Sequence, residues 1–284
     1  MQNTDDKNYW TEIIEPKTLW YDVNLKELWE YRDLILIFVM RDMKALYKQT
    51  ILGPVWFFMG PIFTVITYTF VFNKIARIST DGVPAPLFYL AGTTLWNYFQ
   101  TCFNATSGTF VSNAGIFGKV YFPRLATPIS VVLSNLMKFS IQMLMFLCFW
   151  GYYLWQGKVN PNAAILLFPL LVFLMAGISL GLGIIISSLT TKYRDFSYFI
   201  GFGVTMLMYA SPVIYPSSSI PEMYVPFLIW NPIAPIIEAF RYGFTGAGLL
   251  SVGGLIYSTI FMIVTLTIGV VIFKKVEKTF MDTV

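Results

Sequence analysis

Residues 163–189, AAILLFPLLVFLMAGISLGLGIIISSL, run for 27 positions without a charged side chain. An α-helix rises 1.5 Å per residue, so about 20 apolar residues cross the ~30 Å hydrocarbon core of a bilayer. A helix this long and apolar on every face has no side to offer water. It belongs in a membrane. Outward from it, five further blocks read the same way. They are Gln49 to Asn73, between Lys48 and Lys74; Pro86 to about Phe110, inside the uncharged interval from Asp81 to Lys119; and Ala126 to Trp155, interrupted only by Lys138. The remaining two run from Phe196 to about Pro216 and from about Gly253 to Phe273. The expectation is an all-α integral membrane protein with six transmembrane helices over residues 49–284, preceded by a cytoplasmic part, residues 1–48.

Composition agrees. Of 284 residues 56% are hydrophobic and 12% charged, where a soluble domain carries roughly a quarter charged residues. The net charge of +4 is small, and its placement says more than its size. With six spans, one side of the membrane holds fourteen basic residues: Lys7, Lys17, Lys26, Arg32, Arg41, Lys44, Lys48, Lys119, Arg124, Lys192, Arg194, Lys274, Lys275 and Lys278. The other holds four, Lys74, Arg77, Lys158 and Arg241. That asymmetry predicts both termini in the cytoplasm and argues against nucleic acid as a partner. The first thirty residues have no apolar core of a signal peptide. Cys102 and Cys148 sit inside apolar blocks and histidine is absent, so neither a disulfide framework nor a metal site is expected.

Two segments depart from a plain span-and-loop pattern. In residues 22–48, Asn24 and Glu27 read as a helix start. Leu25, Leu28, Trp29, Leu36, Val39, Met43 and Leu46 then recur at helical spacing against Lys26, Glu30, Arg41, Asp42, Lys44 and Lys48. This pattern predicts an amphipathic helix lying in the interface, either as an anchor or as a lever that meets a cytoplasmic partner. In residues 212–250, Pro212, Pro216, Pro221, Pro226, Pro232 and Pro235 forbid a continuous helix. The stretch is too apolar for a solvated loop. Short broken helices re-entering the membrane over residues 217–250, before the last span, satisfy both facts. Glu238 and Arg241, three apart, can neutralise one another there as a functional or a structural pair.

The sequence has no phosphate loop of the form GxxxxGK[ST], no HExxH and no GxSxG. Lys138 is the one basic residue in mid-span, and a single lysine makes a poor active site. Spans one to four and six contain no Asp or Glu for an ion relay. Energy for any uphill movement must come from another chain.

Several motifs carry a resemblance. Tyr47-Lys48-Gln49, Leu52-Gly53-Pro54 and Trp56, with Pro61 beyond, are similar to the first-span signature of type-2 ATP-binding-cassette exporter permeases. Phe122-Pro123-Arg124 with Pro128 resembles that family's cytoplasmic connection between spans two and three, and Lys192-Tyr193-Arg194-Asp195 its turn between spans four and five. Ser211-Pro212-Val213-Ile214-Tyr215 and Asn231-Pro232 with Arg241 resemble its motif before span six. Within the family the chain looks most like exporters of O-antigen, capsule or teichoic acid. The resemblance implies a non-enzymatic permease subunit of the bacterial inner membrane. Two copies would pair with two ATPase subunits that carry the ATP and Mg, and lipid-linked polysaccharide would be the cargo. Export of a drug, lipid or other small molecule is the alternative. A membrane-bound transferase or an ion-driven carrier would need acidic or histidine clusters that the sequence lacks.

Aromatic residues make up 18% of the chain. Sugars stack their C–H faces on aromatic rings, and a sliding polymer needs many weak, equivalent contacts. Trp56, Tyr68, Phe72, Tyr198, Phe199, Tyr209 and Tyr215, on spans one and five, are the expected channel residues; lipid contact or bundle packing is the competing role. The short basic and aromatic loop Lys119, Val120, Tyr121, Phe122, Pro123 and Arg124 is the expected coupling element that inserts into the ATPase. Charge reversal at Arg124 is expected to uncouple it.

Overall fold

A computed structural model describes residues 25–48, 55–117, 119–192 and 195–283, which are all-helical. The helix start expected at Asn24, the Gln49–Pro54 part of the first span and motif, and Tyr193-Arg194 lie outside the described residues. So do the side chains of Trp56, Tyr198 and Phe199.

The interface helix is broken once, at Tyr31, into α1 (Leu25–Glu30) and α2 (Arg32–Lys48). Ile35 and Phe38 are buried against the bundle, while Leu36, Ile37 and Met40 stay exposed. Each apolar group of α2 therefore has either protein or the lipid boundary to face.

The first span is α3 (Val55–Tyr68), carried on by a π-helical turn, Thr69–Ile75. After two residues with positive φ, Arg77 and Asp81, the chain re-enters as α4 (Ala85–Ser107), with Pro84 at its N-cap. Gly108 then breaks the expected second span, and α5 (Thr109–Phe117) is separate. The third span is α6 (Ala126–Trp155), with the bounds expected of it. A 3-10 turn, Ala163–Leu167, leads into α7 (Phe168–Lys192). The fifth block gives only α8 (Phe196–Tyr209), shorter than residues 196–216 because the chain turns at Ala210–Pro212. Two further 3-10 turns lead to α9 (Val225–Ile229) and α10 (Ala234–Thr245), and the described chain closes with α11 (Val252–Thr283). The last helix outruns the expected 253–273 by ten residues, because Lys274, Lys275 and Glu277 continue it beyond its apolar part.

Among the described residues four stretches are long and apolar enough to cross a bilayer, Phe58–Ile75, Ala126–Trp155, Ala163–Thr190 and Val252–Glu277, or five if the bent pair Glu222–Ile229 and Ala234–Thr245 is one span. The count of six is therefore not met in full. The second expected span, α4, is long enough but carries Thr93, Thr94, Asn97, Gln100, Thr101 and Asn104. It is the central helix, touching α3, α6, α7, α8 and α10; Thr93 and Thr94 are buried, Asn97 and Gln100 partly buried, and Thr101 and Asn104 exposed. Thr93 and Thr94 donate to Tyr89 O and Leu90 O at 2.7 Å. The fifth, α8, is 14 residues long.

Lipid leaves helices no hydrophobic push toward each other, so close approach of small residues does the packing. A Cβ added at Gly181 on α7 would lie 2.8 Å from Leu266 N of α11, and one at Gly269 2.9 Å from Gly181 O. On the opposite face of α11, Ile256, Ile260, Ile263, Val264 and Ile268 form an exposed apolar stripe suited to lipid.

Candidate functional site

The proline-rich segment builds one end of the bundle. The helices Glu222–Ile229 and Ala234–Thr245 meet at a 100° bend, the broken geometry that the prolines predict. Backbone freed at such a bend must find partners at membrane depth, and side chains supply them. Asn231 Nδ2 donates to Ala210 O (3.1 Å) and Ser211 Oγ (2.8 Å), while its Oδ1 accepts from Ile233 N (2.9 Å). From α11, Ser258 Oγ donates to Pro232 O (2.6 Å) and Tyr257 OH to Trp230 O (2.9 Å). At the far end of α10, Asn162 Nδ2 donates to Tyr242 O (3.0 Å) and Trp150 Nε1 to Phe244 O (2.6 Å).

Arg241 is the clamp of this region, with a relative exposure of 1%. Its Nη1 donates to Glu238 Oε1 at 2.8 Å and its Nη2 to Pro212 O at 2.8 Å. Its guanidinium carbon stands 3.9 Å from the centre of the Phe88 ring, a cation–π contact in a dry setting. Glu238 Oε2 accepts from Leu249 N at 3.1 Å. One ion pair thus joins α10, the turn after α8, α4 and the approach to α11, so the pair expected from spacing is inside the protein. Gly92 makes room for it: a Cβ there would lie 2.6 Å from Val213 O and 3.1 Å from Arg241 Nη2. Gly92→Ala is expected to cost ~1–3 kcal/mol by overpacking, since the obstructing atom is backbone. A lowered thermal unfolding midpoint of the detergent-solubilised protein is the check, and an unchanged midpoint would refute it.

Of the seven expected channel aromatics, the structure gathers four at the ends of α3 and α8 that lie beside this clamp. Tyr68 and Phe72 meet edge to face at 5.3 Å, and Tyr68 also meets Tyr89 of α4 at 6.0 Å. Tyr68 OH lies 3.9 Å from Met208 Sδ of α8, next to the exposed Tyr209, and Tyr215 OH donates to Tyr209 O at 2.8 Å. Tyr68, Phe72 and Tyr215 are partly buried against the core, whereas Tyr209 shows its ring. Trp56, Tyr198 and Phe199 belong to the first turns of the same two helices, at the other end.

Sequence reasoning missed two features of this end. Ser218 Oγ lies 2.8 Å from each carboxylate oxygen of Asp81, tying the loop before α4 to the turn before α9. A cavity of about 640 Å³ lies between α9, α10 and the start of α11, with Trp230, Tyr257, Pro235 and Glu238 in its wall. Only the folded chain brings these residues together, and no spacing in the sequence signals it.

At the opposite end a second aromatic cluster positions the loop Lys119–Arg124. Phe122, 5% exposed, packs on Phe38 of α2 (5.7 Å) and Phe117 of α5 (5.8 Å). Phe110 stacks on Phe273 of α11 at 4.4 Å. Arg124 Nη1 donates to Glu277 O at 2.7 Å, its Nε lies 3.7 Å from Glu277 Oε1, and its guanidinium carbon is 5.6 Å from the centre of the Phe117 ring. Pro123 is half-buried. Lys119, Val120 and Tyr121 point outward, Tyr121 with 70% exposure. The loop is therefore divided. Its second half fastens α2, α5 and α11 together, and its first half forms an exposed basic and aromatic tip.

The chain is similar to several permeases. It is 26% identical over 252 residues to the O-antigen export system permease protein RfbA of Klebsiella pneumoniae, covering 88% of this chain and 94% of that one. The protein of the same description from Myxococcus xanthus is 27% identical over 220 residues, with 76% and 82% covered. The polysialic acid transport protein KpsM of Escherichia coli is 24% identical over 241 residues, with 84% and 92% covered. Residues 33–245, which hold α2, both broken helices, the Arg241 clamp and the Lys119–Arg124 loop, match the ABC-2 type transporter family throughout, and the chain belongs to that family.

Proposed function

We propose that this chain is the membrane permease of an ATP-driven exporter that moves a lipid-linked polysaccharide across the bacterial inner membrane. The observation that carries the reading is likeness along nearly the whole chain to permeases of O-antigen and polysialic acid export. Membership of the ABC-2 family brings with it an association with ATP-binding subunits. Two copies of the permease pair with two such subunits, which hold ATP and Mg, and both termini lie in the cytoplasm. The fourteen-to-four asymmetry of basic residues supports that orientation.

The geometry suits the task. Tyr209 offers an exposed ring where α3 and α8 end, and Trp56, Tyr198 and Phe199 lie on the same helices about 18 Å away at 1.5 Å per residue. A sugar chain that slides needs repeated weak stacking surfaces and no deep well. Cells lacking their own polysaccharide permease, supplied with this chain and its ATP-binding subunit, should regain surface polysaccharide. The triple variant Trp56→Ala, Tyr198→Ala, Tyr209→Ala should lower that export several-fold while the complex still assembles. If an assembled wild-type complex leaves lipid-linked polysaccharide accumulating inside, the reading fails; if only the triple variant exports normally, the aromatic path fails.

A further inference from the structure

Lys138 is a cation in the middle of a described membrane-crossing helix, with no carboxylate in ion-pair distance among the described residues. It lies twelve residues into α6, ~18 Å from that helix's first residue. Its Nζ donates to Asn135 Oδ1 at 2.9 Å. Its other two protons find no acceptor among the described residues, and no carboxylate there comes within 4.0 Å. Asp42, the acid of α2 nearest this stretch, is held by Arg41 at 2.8 Å and approached by Ser134 Oγ at 3.4 Å.

Lys138 lines a cavity of about 350 Å³ between α3, α4 and α6, together with Asn97, Thr101 and Gln142. Gln142 is only 8% exposed, yet its Nε2 has no hydrogen-bond partner. The Asn97 side chain makes no hydrogen bond among the described residues, and Thr101 spends its proton on Asn97 O at 2.7 Å. The ammonium and the Asn97 carboxamide therefore line the cavity from two helices with donors unused, and the Gln142 amide lies enclosed in its wall. A buried amide donor left unmade costs ~1–3 kcal/mol, and an intramembrane cation costs more. Both costs vanish if an anion with several acceptor oxygens sits between them.

Location narrows the anion. Ser134, which meets Asp42 of the interface helix, lies one turn before Lys138, so the cavity stands one turn deeper than α2. With α2 lying in the interface, the cavity is within reach of a lipid's phosphate, and Pro61, Tyr98 and Phe139 give it apolar walls. Free phosphate would have to leave water to reach it.

We infer that Lys138, Gln142 and Asn97 form a binding site for the phosphate of a membrane lipid, on the side of the bilayer that holds α2. The phosphate can belong to a resident anionic phospholipid or to the diphosphate of a polyprenyl-linked cargo. The site goes beyond the export reading and does not depend on it.

The test uses the purified full-length permease with its ATP-binding subunit in phosphatidylcholine nanodiscs. Phosphatidylglycerol in one arm, and a polyprenyl diphosphate saccharide in the other, are titrated in and bound lipid is counted by native mass spectrometry. Wild type should bind one lipid in at least one arm. Lys138→Gln should weaken that binding roughly ten-fold or more, Gln142→Leu by less, and Lys138→Arg should restore most of it. Saturation by phosphatidylglycerol identifies a resident lipid; saturation by the diphosphate alone identifies the cargo. The thermal unfolding midpoint of each variant reports folding, and Gln142→Leu serves if Lys138→Gln does not fold. Wild-type binding by the folded variants in both arms, or no bound lipid in the wild type, overturns the site. Since the readout is binding, a failure of polysaccharide export leaves it untouched.

Discussion

Arg241→Met should nearly eliminate folded permease from the membrane. The side chain is almost wholly enclosed and holds Glu238, Pro212 O and the face of Phe88 at once. Removing it strands the Glu238 carboxylate with one remaining backbone donor, Leu249 N. Breaking a buried pair from one side costs ~3–5 kcal/mol, a large part of the ~5–15 kcal/mol that stabilises a typical protein. Arg241→Lys should recover little, because a point charge cannot serve two acceptors and a ring in one plane. Arg241→Met combined with Glu238→Gln should recover more than Arg241→Met alone, since no buried charge is then left over. Unfolding midpoints and the yield of monodisperse protein separate these cases. A wild-type midpoint for Arg241→Met would mean that the clamp does not hold this end of the bundle together.

Tyr121→Ala should leave the permease folded yet weaken its hold on the ATP-binding subunit by about thirty-fold, the ~2 kcal/mol typical of an interface hot spot. Tyr121 stands at the exposed tip of a loop whose base is fixed by Phe122 and Arg124, so its ring is presented at little entropic cost. Arg124→Glu should act differently. It sets a second carboxylate against Glu277, where the native contact is 3.7 Å, and removes the donor to Glu277 O. The end of α11 should loosen, and coupling and unfolding midpoint should fall together. Purified complexes, measured for subunit affinity and for ATPase stimulation, distinguish the two variants. Wild-type affinity in Tyr121→Ala would remove the tip from the interface.

Charge reversal at Arg124 therefore has two consequences, where a basic loop read by itself predicts one. From the sequence, an arginine in a basic loop reads as a group presented to a partner, because positive-inside loops face the cytoplasm. Its actual neighbour, Glu277, is 153 residues away on the last helix, and no local pattern links them. The same holds for Ser218 with Asp81, 137 residues apart. Glu238 and Arg241 were legible because they are one helical turn apart, and the break in residues 212–250 because proline's effect is local.

The sequence by itself determined that this chain is helical and lies in a membrane, and that residues 212–250 are broken. Each of these follows from the free energy of putting a side chain or a backbone group into lipid, which depends on one residue and its nearest neighbours. Tertiary structure alone decided the rest. It made α4 a polar-flecked central helix, with Thr93 and Thr94 enclosed by its neighbours and bonded to its own backbone. It turned Phe122 and Arg124 inward and left Tyr121 outward, and it gathered Tyr68, Phe72, Tyr209 and Tyr215 at one end. It also placed Gln142 and Asn97 around Lys138, a lysine that looked solitary in the sequence. Hydrogen bonds and ion pairs are contacts between particular atoms, and which atoms meet is fixed only when the helices have packed.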